Sequence, residues 1–173
     1  VLTDKEEIGS VGNTGLSSAY LQFFVEDLAK TQGLEGRDVL RASECLSADV
    51  NAGVDPTFQS VHDKLNASFI NRGIVVTKYT GARGKSDTSD ANAEFVGKLR
   101  KLFDDNDIVW QIGELGKVDE GGGGTVAKYV AHLGVDVVDV GVPVLSMHAP
   151  FEQIAKLDIY MAYKAFCAFY NQK

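Results

Sequence analysis

The chain has 173 residues, of which 45% are hydrophobic, and its formal net charge is −7. This length suffices for one domain with a real hydrophobic core. An acidic chain does not favour nucleic acid or an anionic membrane surface as a partner, and no apolar run approaches the length of a membrane span. Cys45 and Cys167 lie far apart in apolar contexts, so we interpret them as buried free thiols in a reducing, cytoplasmic setting.

Helical and strand-like patterns alternate along the chain. Apolar periodicity predicts helices over 16–30, 34–41, 91–105, 126–133 and 154–170, and strands over 44–50, 74–77, 108–112, 135–140 and 144–147. Residues 51–73 and 80–89 are predicted to be mostly loop, and Val1-Leu2 to be the end of a strand whose N-terminal neighbours are missing. The alternation predicts an α/β, three-layer sandwich with a mixed, mostly buried sheet flanked by helices, in one domain over 1–173.

Candidate metal ligands follow three of these strands. Glu6-Glu7, Asp49 and His148 are far apart in sequence, but strand ends converge on one edge of an α/β sheet. Carboxylates with an imidazole suit zinc, and also cobalt or manganese. The alternatives are solvated turn acids at Glu6-Glu7, a cap or turn acid at Asp49, and a surface histidine at His148.

Two further segments are candidates for substrate contacts. Lys78-Tyr79 follows the β-branched strand 74–77, where a lysine can contact a carboxylate or stabilise a developing oxyanion, or can simply be solvated. Four glycines at 121–124 precede a predicted helix, as in phosphate-binding loops. The loop lacks the G-x-x-x-x-G-K-[ST] pattern, so nucleotide binding is not favoured.

Five segments, taken together, carry a family resemblance. DKEEIGS, LSADVNAGVDPTF, TKYTGARGK, GGGGTVA and LSMHAPFE occur in this order, and they resemble the aspartyl-aminopeptidase-like family of co-catalytic zinc metallo-aminopeptidases. The resemblance covers 1–165. It implies a zinc-peptidase-like fold and an enzyme that removes the N-terminal residue, acidic or neutral, from peptides with a water bridged by two zinc ions. It also implies a large closed homo-oligomer.

The resemblance implies a role for each candidate residue. Glu6 would be the general base, Glu7 and His148 would bind one zinc ion, and Asp49 would bind the other. The residues expected beside the substrate are Lys78, Tyr79, Gly124 and Thr125. The family's remaining ligands, a histidine and a bridging aspartate, and its inserted smaller domain would all precede residue 1. The chain is therefore expected to be the C-terminal portion of the catalytic domain and to be inactive alone.

The sequence departs from the family pattern after Asp49. Many members have histidines where this chain has Ala52 and Asp55. A strict preference for acidic N-terminal residues is therefore in doubt, and neutral residues are equally expected. Two other functions stay open, namely an oligomer-assembly fragment without catalysis and a related dinuclear zinc deacylase.

Overall fold

The computed structural model describes residues 1–83, 86–117 and 119–172. Its strands are β1 (Glu44–Ser47), β2 (Asn51–Ala52), β3 (Ile74–Thr77), β4 (Tyr79–Ala82), β5 (Ser86–Asp90), β6 (Trp110–Ile112), β7 (Asp136–Gly141), β8 (Pro143–Leu145) and β9 (Gln153–Ile154). The central sheet has the order β1–β7–β3–β6, in which β7 and β3 are antiparallel and the outer pairs are parallel. A smaller sheet has the order β2–β8–β9, and β4 and β5 form a hairpin.

Helices cover both faces of the central sheet. They are α1 (Tyr20–Thr31), α2 (Gly36–Arg41), α3 (Ala93–Asp105), α4 (Ala127–His132) and α5 (Lys156–Asn171). Short 3₁₀ turns span Glu6–Ile8 and Gln59–Val61. Within the described ranges, no helix combines the length and apolar character needed to cross a bilayer.

The valine-rich strand β7 divides the core between the two faces. Val138 and Val140 pack with α3 and α5, whereas Val137 packs with α4 on the opposite face. Successive side chains of a strand point to opposite sides, so a continuous apolar run indicates a strand that is buried on both faces. The observed layers confirm the predicted three-layer sandwich with a mixed sheet.

Most predicted elements are confirmed, with shifts of a few residues at their ends, but three expectations were wrong. The loop expected over 80–89 is the β4–β5 hairpin, within which Gly84 and Lys85 lie outside the described residues. Helix α1 begins four residues after the predicted start, because 16–19 form turns. Val1 and Leu2 are exposed and belong to no strand, because no described segment pairs with them.

A buried carboxylate joins α5 to the start of β3. Asp158 is fully buried in the first turn of α5, and its two oxygens accept hydrogen bonds from the backbone N–H groups of Asn71 and Gly73, each at 2.7 Å. These bonds satisfy N–H groups of a tight turn, in which Asn71 and Gly73 both have positive φ. Asp158 therefore fixes the turn through which the chain enters the central sheet.

Candidate metal centre and substrate cleft

One cleft contains all four residues that the sequence assigned to the metal centre. Its volume is about 560 Å³, and its wall includes Glu6, Glu7, Asp49 and His148. Asp49 lies in the connection between β1 and β2, and His148 lies in the connection between β8 and β9. Asp49 follows the carboxyl end of β1, beside the end of its parallel neighbour β7, and both Asp49 and His148 line the cleft.

The paired glutamates lie on a tightly turned segment. They form the start of the Glu6–Ile8 turn, which is flanked by Lys5 (φ 63°) and Gly9 (φ 100°) in the left-handed region. Ser10 N donates to Lys5 O at 2.8 Å and closes the turn. The segment therefore places Glu6 half-buried and Glu7 exposed, side by side in the cleft wall.

His148 is held by an unusual backbone conformation. Both Ser146 (φ 57°) and His148 (φ 66°) are left-handed, which is costly for residues other than glycine. The His148 N–H donates to Glu152 Oε1 at 2.5 Å. In this conformation His148 Nε2 lies 3.0 Å from Glu7 Oε2, so the two expected ligands of one zinc ion are in contact.

Asp49 is positioned by a close approach of two chain segments. Its carboxylate accepts a hydrogen bond from Val50 N at 2.8 Å. Its carbonyl oxygen lies very close to Gly141 at the end of β7, and a Cβ atom added to residue 141 would be only 1.5 Å from that oxygen. The position of Asp49 thus depends on the absence of a side chain at residue 141.

Replacing Gly141 with alanine should displace the Asp49 segment and destabilise the protein by about 1–3 kcal/mol, as overpacking does. The matched control is Gly97→Ala in α3, where an added Cβ meets nothing within 4 Å. That change should instead stabilise the protein by about 0.5–1 kcal/mol. Thermal unfolding of both variants checks the prediction, and an unchanged melting temperature for Gly141→Ala would contradict it.

Three carboxyl groups in and near the cleft have raised pKa values. Burial raises the pKa of Glu6, and the charges of Asp49 and Glu7 raise it further, whereas His148 lowers it. Burial also raises the pKa of Asp49, although its bond from Val50 N lowers it. The pKa of Asp139, in β7, rises from 3.8 to about 7, mainly through burial. Such a cluster is poorly neutralised and favours binding of a cation.

The Asp139 carboxyl should make the metal-free protein less stable as the pH rises. The folded state binds the proton of the Asp139 carboxyl more tightly than the unfolded state does. The free energy of unfolding therefore falls between about pH 4 and about pH 7 and then levels off. Asp139→Asn should remove this contribution. Urea unfolding of the chelator-treated protein at several pH values checks it, because the variant should show a shallower decline. Equal slopes for the two proteins would refute the assignment.

The predicted substrate-binding residues divide into two groups. Gly124 and Thr125 line the cleft. Lys78 forms an ion pair with Asp90, and Tyr79 lines a small neighbouring pocket that also contains Glu114. Burial and the charge of Asp90 raise the pKa of Glu114 to about 6. The structure therefore brings the glycine segment to the cleft that contains Glu7 and His148, whereas Lys78 and Tyr79 do not line that cleft.

One cleft residue, His62, and one buried acid outside the cleft lining, Asp139, were not among the predicted site residues. His62 is buried in the cleft wall, its Nδ1 has no hydrogen-bond partner among the described residues, and burial lowers its pKa. Ala52 and Asp55, where the chain departs from the family pattern, also line the cleft. Asp139 was hidden inside an apolar strand pattern, although an acid within such a run is itself a signal of an unusual environment.

The chain forms an α/β sandwich with an acid-lined cleft, and comparison with known proteins identifies its family. The sequence model described as "Aminopeptidase I zinc metalloprotease (M18)" matches residues 1–170. A probable M18 family aminopeptidase 1 of Borreliella burgdorferi is 49% identical over 177 residues, covering 99% of this chain and 39% of the relative. This chain belongs to the M18 family.

Solved structures agree with this assignment. The crystal structure of an M18-family aminopeptidase from Thermotoga maritima matches with a TM-score of 0.91 and 44% identity, over 96% of this chain and 38% of that one. Aminopeptidase I from Clostridium acetobutylicum matches with a TM-score of 0.91 and 46% identity, over 99% of this chain and 37% of that one. The chain therefore spans less than two-fifths of the length of these relatives.

Within the described part of the chain, no group of three or more histidine, cysteine or acidic side chains is arranged to hold a metal ion. The Glu7–His148 pair at 3.0 Å is the geometry from which a metal site can be built, since an imidazole nitrogen and a carboxylate oxygen already face each other. The donor types fit zinc, which M18 peptidases are described as using.

Proposed function

We propose that this chain is the C-terminal portion of the catalytic domain of a zinc metallo-aminopeptidase, which hydrolyses the N-terminal residue, acidic or neutral, of peptides. The observation that carries the proposal is the contact between Glu7 and His148 in the cleft that also contains Asp49 and Glu6. Membership of the M18 family supports the same reaction. The free thiols of Cys45 and Cys167 support a cytoplasmic location.

The chain supplies three of the proposed metal ligands. Glu7 and His148 would hold one zinc ion and Asp49 the second, with further ligands from sequence that the longer relatives have outside the matched region. Zinc, when bound, polarises a carbonyl group and lowers the pKa of a bound water. In the metal-free protein, burial and the charge of Asp49 raise the pKa of Glu6, and burial and the charge of Glu7 raise the pKa of Asp49, so a divalent cation would relieve the repulsion among these acids.

Glu6 would act as the general base. It is adjacent to Glu7 but less exposed. Its pKa is raised toward neutral pH, and a general base works best when its pKa is near the working pH, because it can then both accept and release a proton. A Glu6 carboxylate oxygen would take a proton from the attacking water and deliver it to the nitrogen of the leaving amine. Glu7, in contact with His148, would be occupied as a ligand and would not perform this transfer.

The glycine segment would form the wall along which the peptide lies. Residues 121–124 and Thr125 line the cleft, and glycine allows a peptide backbone to approach closely. Tyr79 would contribute from the adjacent pocket, and Lys78, which pairs with Asp90, would contribute from the residue before it. Ala52 and Asp55, in place of family histidines, are consistent with acceptance of neutral as well as acidic N-terminal residues.

The proposal is tested with the full-length protein and a panel of leucyl, alanyl, glutamyl and aspartyl anilides. Release of the aniline that is lost with a chelator and restored by zinc is the expected result. The same anilides carrying an N-acetyl group are the control, because an aminopeptidase requires a free amine. Hydrolysis of only the acetyl group would support the alternative, a dinuclear zinc deacylase, and no hydrolysis of any substrate would refute an enzymatic role.

We also propose a homo-oligomer. Large apolar side chains are exposed on α1 and α5, among them Phe23, Phe24, Leu28, Leu157 and Tyr163. Apolar surface of this kind is typical of faces that are covered by protein. Light scattering of the full-length protein gives its mass.

Residues 1–173 alone are expected to be inactive, because their set of zinc ligands is incomplete. Zinc analysis of this portion tests the expectation, since two tightly bound ions would show a complete ligand set.

A further inference from the structure

Asp139 is a buried acid that the proposed reaction does not use. It lies in the middle of β7, is only 4% exposed, and has Ser47 and Thr77 as its partners in the neighbouring strands. Burying a carboxyl group in a sheet is costly unless its oxygens are hydrogen-bonded. Among the buried residues Val137, Val138 and Val140, an apolar side chain would cost less free energy to bury than a carboxyl group. Its contacts indicate what it does instead.

One oxygen of Asp139 holds the end of the glycine segment. Thr125 Oγ1 donates to Asp139 Oδ2 at 2.8 Å, and the same hydroxyl accepts a hydrogen bond from Ala127 N at 3.3 Å. Thr125 is 5% exposed, directly follows Gly124, and precedes the first turn of α4. A continuous chain of hydrogen bonds therefore links the start of α4 to the centre of the sheet through the last residue of the cleft wall.

The other end of the glycine segment is held separately. Gly81 N, in β4, donates to Gly123 O at 2.9 Å, and Arg83 N donates to Gly121 O at 2.7 Å. Glycine residues have little conformational preference of their own, so the shape of such a segment is set by where its ends are attached. The hairpin fixes one end and the Asp139–Thr125 bond fixes the other.

We propose that Asp139 is a positioning residue, which fixes the glycine wall of the substrate cleft through its hydrogen bond with Thr125. The inference deepens the proposed aminopeptidase function and rests on it. Asp139 acts on substrate binding from beneath the wall, without touching the substrate. The neighbouring Ser47 Oγ lies close enough to lower the pKa of the carboxyl, but neither it nor Asp139 Oδ1 has a partner with hydrogen-bond geometry among the described residues. The bond from Thr125 is therefore the directional contact of this carboxyl.

Three variants of the full-length protein separate the hydrogen bond from the charge. Asp139→Ala removes the acceptor, Thr125→Val removes the donor and keeps the branched shape, and Asp139→Asn keeps an acceptor oxygen but no charge. We expect about tenfold faster amide exchange at 121–125 in the first two variants, since each loses one buried hydrogen bond to an acidic side chain. KM should rise several-fold with a smaller change in kcat, and Asp139→Asn should recover most of the lost protection.

Asp158→Ala is the control, because it also removes a buried carboxylate, but one whose hydrogen bonds go to Asn71 and Gly73 and not to the glycine segment. It should lower stability without changing exchange at 121–125. Unchanged exchange in Asp139→Ala and Thr125→Val would overturn the inference, and so would Asp139→Asn behaving like Asp139→Ala. Amide exchange tests the role of the Asp139–Thr125 hydrogen bond even if the wild-type protein hydrolyses no anilide. Failure of the proposed function is therefore recognised separately.

Discussion

Replacing Glu6 with glutamine in the full-length protein should lower kcat by about 10²–10⁴-fold, the usual contribution of a general base. Bound zinc should stay nearly unchanged, because the carboxylate that contacts His148 belongs to Glu7 and not to Glu6. Glutamine has nearly the same shape as glutamate but cannot accept the proton. Steady-state kinetics on an aminoacyl anilide and metal analysis of the same preparation measure the two effects.

The adjacent substitution, Glu7→Gln, is the matched control for this result. It changes the neighbouring residue in the same way but should lose zinc together with activity, because an amide oxygen is a weaker ligand than a carboxylate. The role assignment would be wrong if Glu6→Gln lost zinc, or if it retained activity. Reversed results for the two variants would exchange the roles of base and ligand.

Replacing Asp158 with alanine should destabilise the protein by about 3 kcal/mol or more. Two backbone N–H groups, those of Asn71 and Gly73, would each lose a charge-assisted hydrogen bond of 2.7 Å. Asp158 is fully buried, so solvent is poorly placed to replace the lost oxygens, and buried donors left without a partner cost more than the bond itself gains. The free energy of unfolding from urea titration measures the effect.

A surface aspartate provides the comparison for this prediction. Asp105 in α3 is exposed and pairs with Lys101 one turn away, a contact worth only about 0.3–0.5 kcal/mol. Asp105→Ala should therefore change the free energy of unfolding by less than about 0.5 kcal/mol. Similar losses for the two variants would mean that Asp158 does not hold the turn before β3.

The parts of the fold that the sequence predicts are those with strong local patterns. The amphipathic helix α3 begins at a side-chain cap, where Asn92 accepts from Phe95 N, and its buried residues recur at helical spacing. Strand β3 is β-branched throughout and completely buried. Asp49 and His148 were predicted as ligands because their short segments also match a family pattern, whereas single acids or histidines after a strand carry little information.

The remaining features depend on contacts between distant segments. The β4–β5 hairpin has a polar, glycine-containing sequence, and it is supported by pairing of β4 with the glycine segment, as in the bond from Gly81 N to Gly123 O. Asp139 looked like one residue of a strand, and only the fold shows that Thr125 reaches it from fourteen residues earlier.

The left-handed conformation of His148 has a consequence for ligand binding. The imidazole is presented to the cleft by a turn that the fold imposes, with Glu152 bound to its backbone N–H and Ala149 N donating to Ser146 O at 2.9 Å. The backbone at His148 is thus preorganised, and little backbone conformational entropy remains to be lost there when a ligand arrives. Affinity at His148 should accordingly depend on the stability of this turn as much as on the imidazole itself.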